Sequence, residues 1–337
     1  MGLGGVAIAV LPSMIYPKQP FSDGLGGGNQ ASQQVAIGFD GYLGRSAVDT
    51  RGSESTAEAI KAEGVGFGVF GNHTSGEDVS YGSGLFKNQQ VTYSTTEPKW
   101  TYSPVKYWPA AGHIDFLAYA PYVKGTTLNN TSCIDFTVEK EVAKQKDLLW
   151  AYATKQDKST GKVNFTFKHA LAKIGYSVKS KDNYDQTTIT VKSIKLVGSE
   201  DEQKTAFYPK GTIDLSKADN KANDLWTNTD GTKLNFDWFS GNQELSTEYK
   251  PENYLFVIPQ DFSSTATDQL YVVVQYTVKT TTDNTEITNT VSKRITTKFL
   301  QGKAYMINLI IGLTPIEFEA KVDSWTNGEN IGDIELN

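Results

Sequence analysis

The sequence predicts an all-β protein made of two tandem β-sandwich domains, and three observations lead there. Short runs rich in β-branched and aromatic residues recur along nearly the whole chain, divided by turn-forming clusters. Sustained helical periodicity is almost absent. The 337 residues include 6 Trp, 17 Tyr and 16 Phe, enough apolar surface to offset the entropy of ordering a globular chain.

Residues 1–34 are rich in Gly, Pro and Gln and read as an irregular leader. Val35, Ile37 and Phe39 then alternate with Ala36, Gly38 and Asp40, the period-two pattern of a half-buried strand ending near Leu43. A polar, small-residue stretch carrying Arg45 and Arg51 follows, and within it only residues 54–63 have helical character. Strands are predicted at 64–71, 90–94, 100–107, 114–120 and 134–138. The polar run Lys155, Asp157, Lys158, Ser159 and Gly161 marks a boundary near residue 160, giving an N-terminal domain 35–160 and a C-terminal domain 161–337.

In the second domain, strands are predicted at 163–167, 171–178, 188–197, 233–236, 254–258, 270–278, 291–299, 305–311 and 316–322. The run at 270–278 is nearly all apolar at its start, as a central strand would be. At 316–322 the alternation is strict: Ile316, Phe318, Ala320 and Val322 on one face, Glu317, Glu319 and Lys321 on the other. That pattern suits the last strand of a core and equally a strand lent to a neighbour.

Composition narrows the function. Lys and Arg number 32 against 38 Asp and Glu, a net charge of −6, so no basic footprint points to nucleic acid or an anionic membrane surface. The single cysteine, Cys133, excludes an intrachain disulfide and any multi-cysteine metal site. No run approaches the roughly 20 apolar residues of a membrane span. Residues 2–14 are apolar but lack the basic start of a secretory signal.

Catalytic and cofactor patterns find little support. GVGFG at 64–68 precedes neither a helix nor a Lys-Ser/Thr pair, so it does not make a phosphate loop. His73 and His113 sit in turn-like contexts, and His169 is flanked by apolar strand residues. Cys133 has no base near it in sequence. NTDGT at 228–232 would need a ligand where Trp226 stands, so the calcium-loop pattern fails. The pairs Asp333/Glu335 and Glu317/Glu319 alternate along strands and read as solvated faces. The expectation is a protein without catalysis, metal or cofactor. Trp100, Tyr102, Tyr107, Trp108, Tyr119 and Tyr122 read mainly as core and corner residues, with a glycan platform as a lesser option.

The block WTYSPVKYWPAAGHIDFLAYAPY (100–122) closely resembles the WxYSPxxYWP…FFAYAPY signature of the fimbrillin family, the Mfa-like subunits of type V pili in Gram-negative anaerobes. DLLWAYAT (147–154), VNFTFKHALAKIGYSV (163–178), YLFVIPQDF (254–262) and GKAYMINLIIGLTPIEFEAKVDSWTNG (302–328) resemble successive family segments in order, so the likeness spans about residues 35–337. It implies two transthyretin-like β-sandwich domains and a pilin or pilus-tip protein, exported as a lipoprotein to the outer membrane surface. In stalk subunits of such a family an arginine-specific protease removes the first strand, and a strand of the next subunit, typically C-terminal, fills the groove.

Carried onto this chain, the resemblance makes Val35, Ile37 and Phe39 the removable strand and Arg45 the preferred cleavage position, with Arg51 second. Ile316, Phe318, Ala320 and Val322 become the candidate donor strand. Expected partners are other pilus subunits, the protease, and a host protein or glycan. Lipidation is assigned to no residue here, since Cys133 lies deep in the first domain. The alternative reading is a tip adhesin or surface glycan- or protein-binding module that keeps its N-terminal strand.

Overall fold

The computed structural model describes residues 34–43, 56–217, 225–228, 231–313, 317–324 and 330–335. The first part of the chain carries β1 (Gly38–Leu43), the short helix α1 (Ala57–Lys61), β2 (Phe67–Thr74), β3 (Phe86–Ser94), β4 (Lys99–Thr101) and β5 (His113–Ala120). Next come β6 (Cys133–Thr137), β7 (Leu149–Gln156), β8 (Lys162–His169), β9 (Ala172–Ser180) and β10 (Thr187–Val197). They are followed by β11 (Lys210–Asp214), β12 (Trp226–Asn228), β13 (Phe236–Glu244), β14 (Lys250–Val257) and β15 (Gln260–Asp261). The last are β16 (Leu270–Thr280), β17 (Glu286–Ile295), β18 (Lys298–Phe299), β19 (Lys303–Ile311), β20 (Glu317–Ser324) and β21 (Asn330–Glu335). The protein is nearly all β, as its composition predicts.

Seven strands form the first sheet in the order β1-β8-β7-β5-β2-β3-β4. Strand β8 shows why local pattern becomes position. In KVNFTFKH, Val163, Phe165, Phe167 and His169 are buried, and Lys162, Asn164 and Thr166 face out. The expected division near residue 160 falls in the β7–β8 hairpin turn, and the first sheet continues through it to His169. Strand β6 leaves this region to pair with β11.

Both faces of the first sheet are covered. One carries a core of Ile37, Phe39, Phe67, Phe86, Phe116, Phe165 and Phe167. From the other, Phe70, Leu117, Tyr119 and Trp150 join a larger core that also holds Tyr176, Ile194, Val274 and Leu309 from β9, β10, β16 and β19. Double-sided burial explains the apolar run Phe116–Ala120 of β5. The larger core is shared by the sheets β13-β10-β16-β17 and β14-β9-β19-β20-β21.

Local chemistry fixes several elements. Helix α1 is shorter than the predicted 54–63. Thr56 caps it, its Oγ1 accepting from Ala59 N at 3.0 Å, and Ile60 anchors it in the first core. Gly66 adopts φ +61, and a side chain there would collide with the Val91 carbonyl oxygen. The predicted strand at 291–299 is broken into β17 and β18. Near 233–236 only a bridge between Phe207 and Leu234 precedes β13. In place of one long strand at 100–107 there is the three-residue β4 and then an irregular segment, which borders the groove described next.

A groove filled by the N-terminal strand

The segment 35–43 lies between two walls of the first sheet. On one side Ile37 N donates to Lys106 O at 2.8 Å and Trp108 N donates to Val35 O at 2.9 Å. On the other, β1 runs parallel to β8, with Phe39 opposite Val163, Gly41 opposite Phe165 and Leu43 opposite Phe167. Strands β1 and β4 also touch, although they are the two ends of the sheet order. The N-terminal strand therefore closes a seam between the edges of one curled sheet.

Phe39 is the apolar anchor. Its ring lies 5.4 Å from Phe86, 5.3 Å from Tyr102, 5.6 Å from Phe116 and 5.8 Å from Phe165, in edge, tilted and stacked arrangements. Ile37 is buried beside it, but Val35 is 47% exposed, so two of the three alternating residues face the core. Val35 stands at the rim, where its carbonyl is held by Trp108 and its side chain has passed the last core layer.

Two residues of the irregular segment pin this strand. The Tyr102 hydroxyl donates to Ile37 O at 2.8 Å and accepts from Lys106 N at 3.2 Å, and burial raises its pKa. Lys106 Nζ donates to Leu85 O at 2.6 Å and sits 5.0 Å from the centre of the Phe86 ring. Sequence reasoning placed Tyr102 among core and corner aromatics and passed over Lys106. The proline of the YSPVK block signals that a regular strand ends there, but the meeting of this segment with residues 35–37 is seen only in the fold.

The remaining predicted positions fall as follows. Arg45, Arg51 and Ile316 lie outside the described residues. Strand β20, which carries Phe318, Ala320 and Val322, is paired with β19 on one side and β21 on the other, placing these residues opposite Leu309, Ile307 and Tyr305. In this chain it is therefore an internal strand of its sheet. His73 Nε2 lies 2.9 Å from Ala111 O, and His113 Nε2 lies 3.2 Å from Asp115 Oδ2. Asp115 is buried and accepts from Ser80 N and Lys155 N, each at 2.7 Å, tying two connections to the sheet. The Nδ1 of buried His169 lies 2.6 Å from Asp147 Oδ2.

Burial pushes the Cys133 thiol pKa up, away from a nucleophile's thiolate. The glycines of 64–68 lead into strand β2 without a helix N-terminus. Asp230 of NTDGT is outside the described residues. Among the described residues no three His, Cys, Asp or Glu side chains converge as a metal site.

These features define a class: a nearly all-β protein in which the first strand fills a seam lined with aromatic rings and pairs with backbone on both sides. The chain belongs to the fimbrillin-like family, whose model matches residues 50–325. It is 24% identical over 292 residues to a candidate fimbrium subunit, Fim1C, of Bacteroides uniformis, covering 85% of this chain and 84% of the relative. Its fold is similar to the crystal structure of a candidate cell-adhesion protein from Bacteroides uniformis, with 18% identity, a TM-score of 0.52, and coverage of 87% of this chain and 99% of that one. A second candidate cell-adhesion protein, from Bacteroides ovatus, aligns with 14% identity and a TM-score of 0.48 over 90% of this chain and 98% of that one.

Proposed function

We propose that this chain is a non-catalytic subunit of a fimbrium at the outer surface of a Gram-negative cell, joined to other subunits by strand exchange and supporting adhesion. The observation that carries the proposal is the seating of residues 35–43, with backbone bonds to two walls and Phe39 held by four aromatic rings. A strand held this way is replaceable by any chain that supplies the same backbone groups and apolar anchors.

Cleavage after Arg45, or after Arg51, by an arginine-specific protease frees the strand. Its departure uncovers Phe86, Tyr102, Phe116 and Phe165 together with the open edges of β8 and the 106–108 segment. A strand from the next subunit refills the groove, each buried large side chain contributing roughly 1.5–3 kcal/mol. The segment containing Ile316, Phe318, Ala320 and Val322 has the alternation of a donor, and donating it means exchanging its pairing with β19 for pairing with a neighbour.

Limited digestion with an arginine-specific protease tests this reading. A single cut after Arg45 or Arg51, mapped by mass spectrometry, should be followed by a ladder on unheated gels and filaments by electron microscopy. Alanine at the cut arginine should abolish both. A resistant chain, or a cut chain that stays monomeric, refutes strand exchange and leaves a tip adhesin that keeps its first strand.

A further inference from the structure

A second opening for an extended chain lies on strand β6, away from the groove. Strand β6 ends its three-stranded sheet, with β11 on one side only. Leu215 N donates to Ser132 O and Val138 N donates to Pro209 O, so the even-numbered residues turn their backbone groups toward β11. Cys133 faces the other way and exchanges both bonds with Asn129, at 2.7 and 2.9 Å. By strand alternation, Asp135 and Thr137 also present N–H and C=O outward, and among the described residues nothing bonds them.

The chain thus begins a ladder on this edge at Asn129 and abandons it. The turn at Thr126, which bonds back to Val123, carries the other arm away. The space left beside the edge is a cavity of about 330 Å³ with buried Tyr119, Ile134 and Leu148 among its lining. Phe136, half-buried, stands beside it.

We propose that this edge accepts an extended peptide segment of a partner protein, added antiparallel to β6 as a further strand. Its residues opposite Asp135 and Thr137 exchange paired backbone hydrogen bonds, continuing the Asn129–Cys133 pair. The residue between them lies on the same face as Ile134 and Phe136, so its side chain enters the cavity, which has room for one aromatic ring. Asp135 is exposed on the other face, its Oδ1 accepting from Thr212 Oγ1 at 2.7 Å, and a basic residue opposite it is complementary in charge. The recognised pattern is therefore a polar residue, an aromatic residue and a basic residue in succession. The site shares no residue with the groove of residues 35–43, so it stands or falls independently of strand exchange.

The test uses the full chain and a fluorescein-labelled heptapeptide, Gly-Ser-Thr-Phe-Lys-Thr-Gly. Fluorescence anisotropy should show saturable binding, weakened tenfold or more when the peptide phenylalanine becomes serine. Thr137→Pro removes the outward N–H without touching the β11 ladder and should weaken binding to the same degree. A readout without mutation comes from amide exchange. The peptide should protect the N–H groups of Asp135 and Thr137, while those of Ile134 and Phe136 are protected with or without it.

Failure to saturate at millimolar peptide overturns the proposal, as does unchanged protection at Asp135 and Thr137. Binding that survives the phenylalanine-to-serine change, or that methyl glycosides displace, overturns it in favour of a different ligand class. If Thr137→Pro lowers the unfolding midpoint, the exchange measurement decides.

Discussion

The strand-exchange reading assigns a measurable share of stability to one side chain, Phe39. It is 3% exposed, and its ring meets Phe86, Tyr102, Phe116 and Phe165 at centroid distances of 5.3–5.8 Å. Phe39→Ala removes the buried ring and leaves a hole among four others that are held by their own strands. Collapse of that hole is resisted, so the loss should lie near the usual range for a buried phenylalanine, about 3–5 kcal/mol. Urea unfolding of the intact chain, followed by tryptophan fluorescence, should show this as a lower midpoint with an unchanged slope.

The same substitution has a kinetic consequence. Once the chain is cut, the anchor opposes departure of residues 35–43, and a loss of about 3 kcal/mol from the seated state speeds exit roughly 100-fold or more if the departing state has lost those contacts. A label on the released fragment would follow the exit. A stability loss below about 1 kcal/mol would refute the aromatic anchor. A full loss of stability with no faster release would show that backbone pairing, rather than Phe39, governs exit.

Two further outcomes are expected. Asp147→Ala removes the buried carboxylate 2.6 Å from His169 and leaves a buried polar group without that partner, so it should destabilise the fold by about 1–3 kcal/mol, read from urea unfolding, whereas substituting the exposed Glu141 should change little. Alkaline pH should also weaken the protein. The Tyr305 hydroxyl accepts from Leu300 N and donates to Lys298 O, and burial pushes its pKa up to about 12. The folded chain keeps this proton above pH 10.0, where an unfolded tyrosine releases it. Its contribution is complete below about pH 10 and is lost progressively toward pH 12, amounting to about 2–3 kcal/mol. Tyr81, also raised to about 12 by burial and by the Asp115 charge, should add in the same direction. Unfolding midpoints measured across that interval should fall more gently in Tyr305→Phe.

Much of the scaffold follows from local pattern. The alternation of Ile37 with Phe39 and of Val163, Phe165, Phe167 and His169 assigns each residue to core or solvent before any partner strand is known, because a strand's period is two. The blocks at 100–122 and 163–178 identify the family, since its motifs are carried in short contiguous runs. The groove is only half legible in this way. Phe39 announces itself as an apolar anchor, but nothing near it in sequence names Tyr102, Lys106 or Trp108 as its far wall.

Those pairings were settled by tertiary structure. Parallel pairing of β1 with β8 joins segments more than a hundred residues apart, and β6 reaches across to β11 over 73 to 81 residues of chain. Backbone N–H and C=O groups are the same at every position, so the sequence determines that a strand has an apolar face without stating which edge will meet it. The choice rests on how the cores fill and which loops close, and these are properties of the whole chain. For the same reason the exposed edge at Asp135 and Thr137 could not be read from the amino-acid order: an unpaired strand edge exists only after every other strand has found its partner.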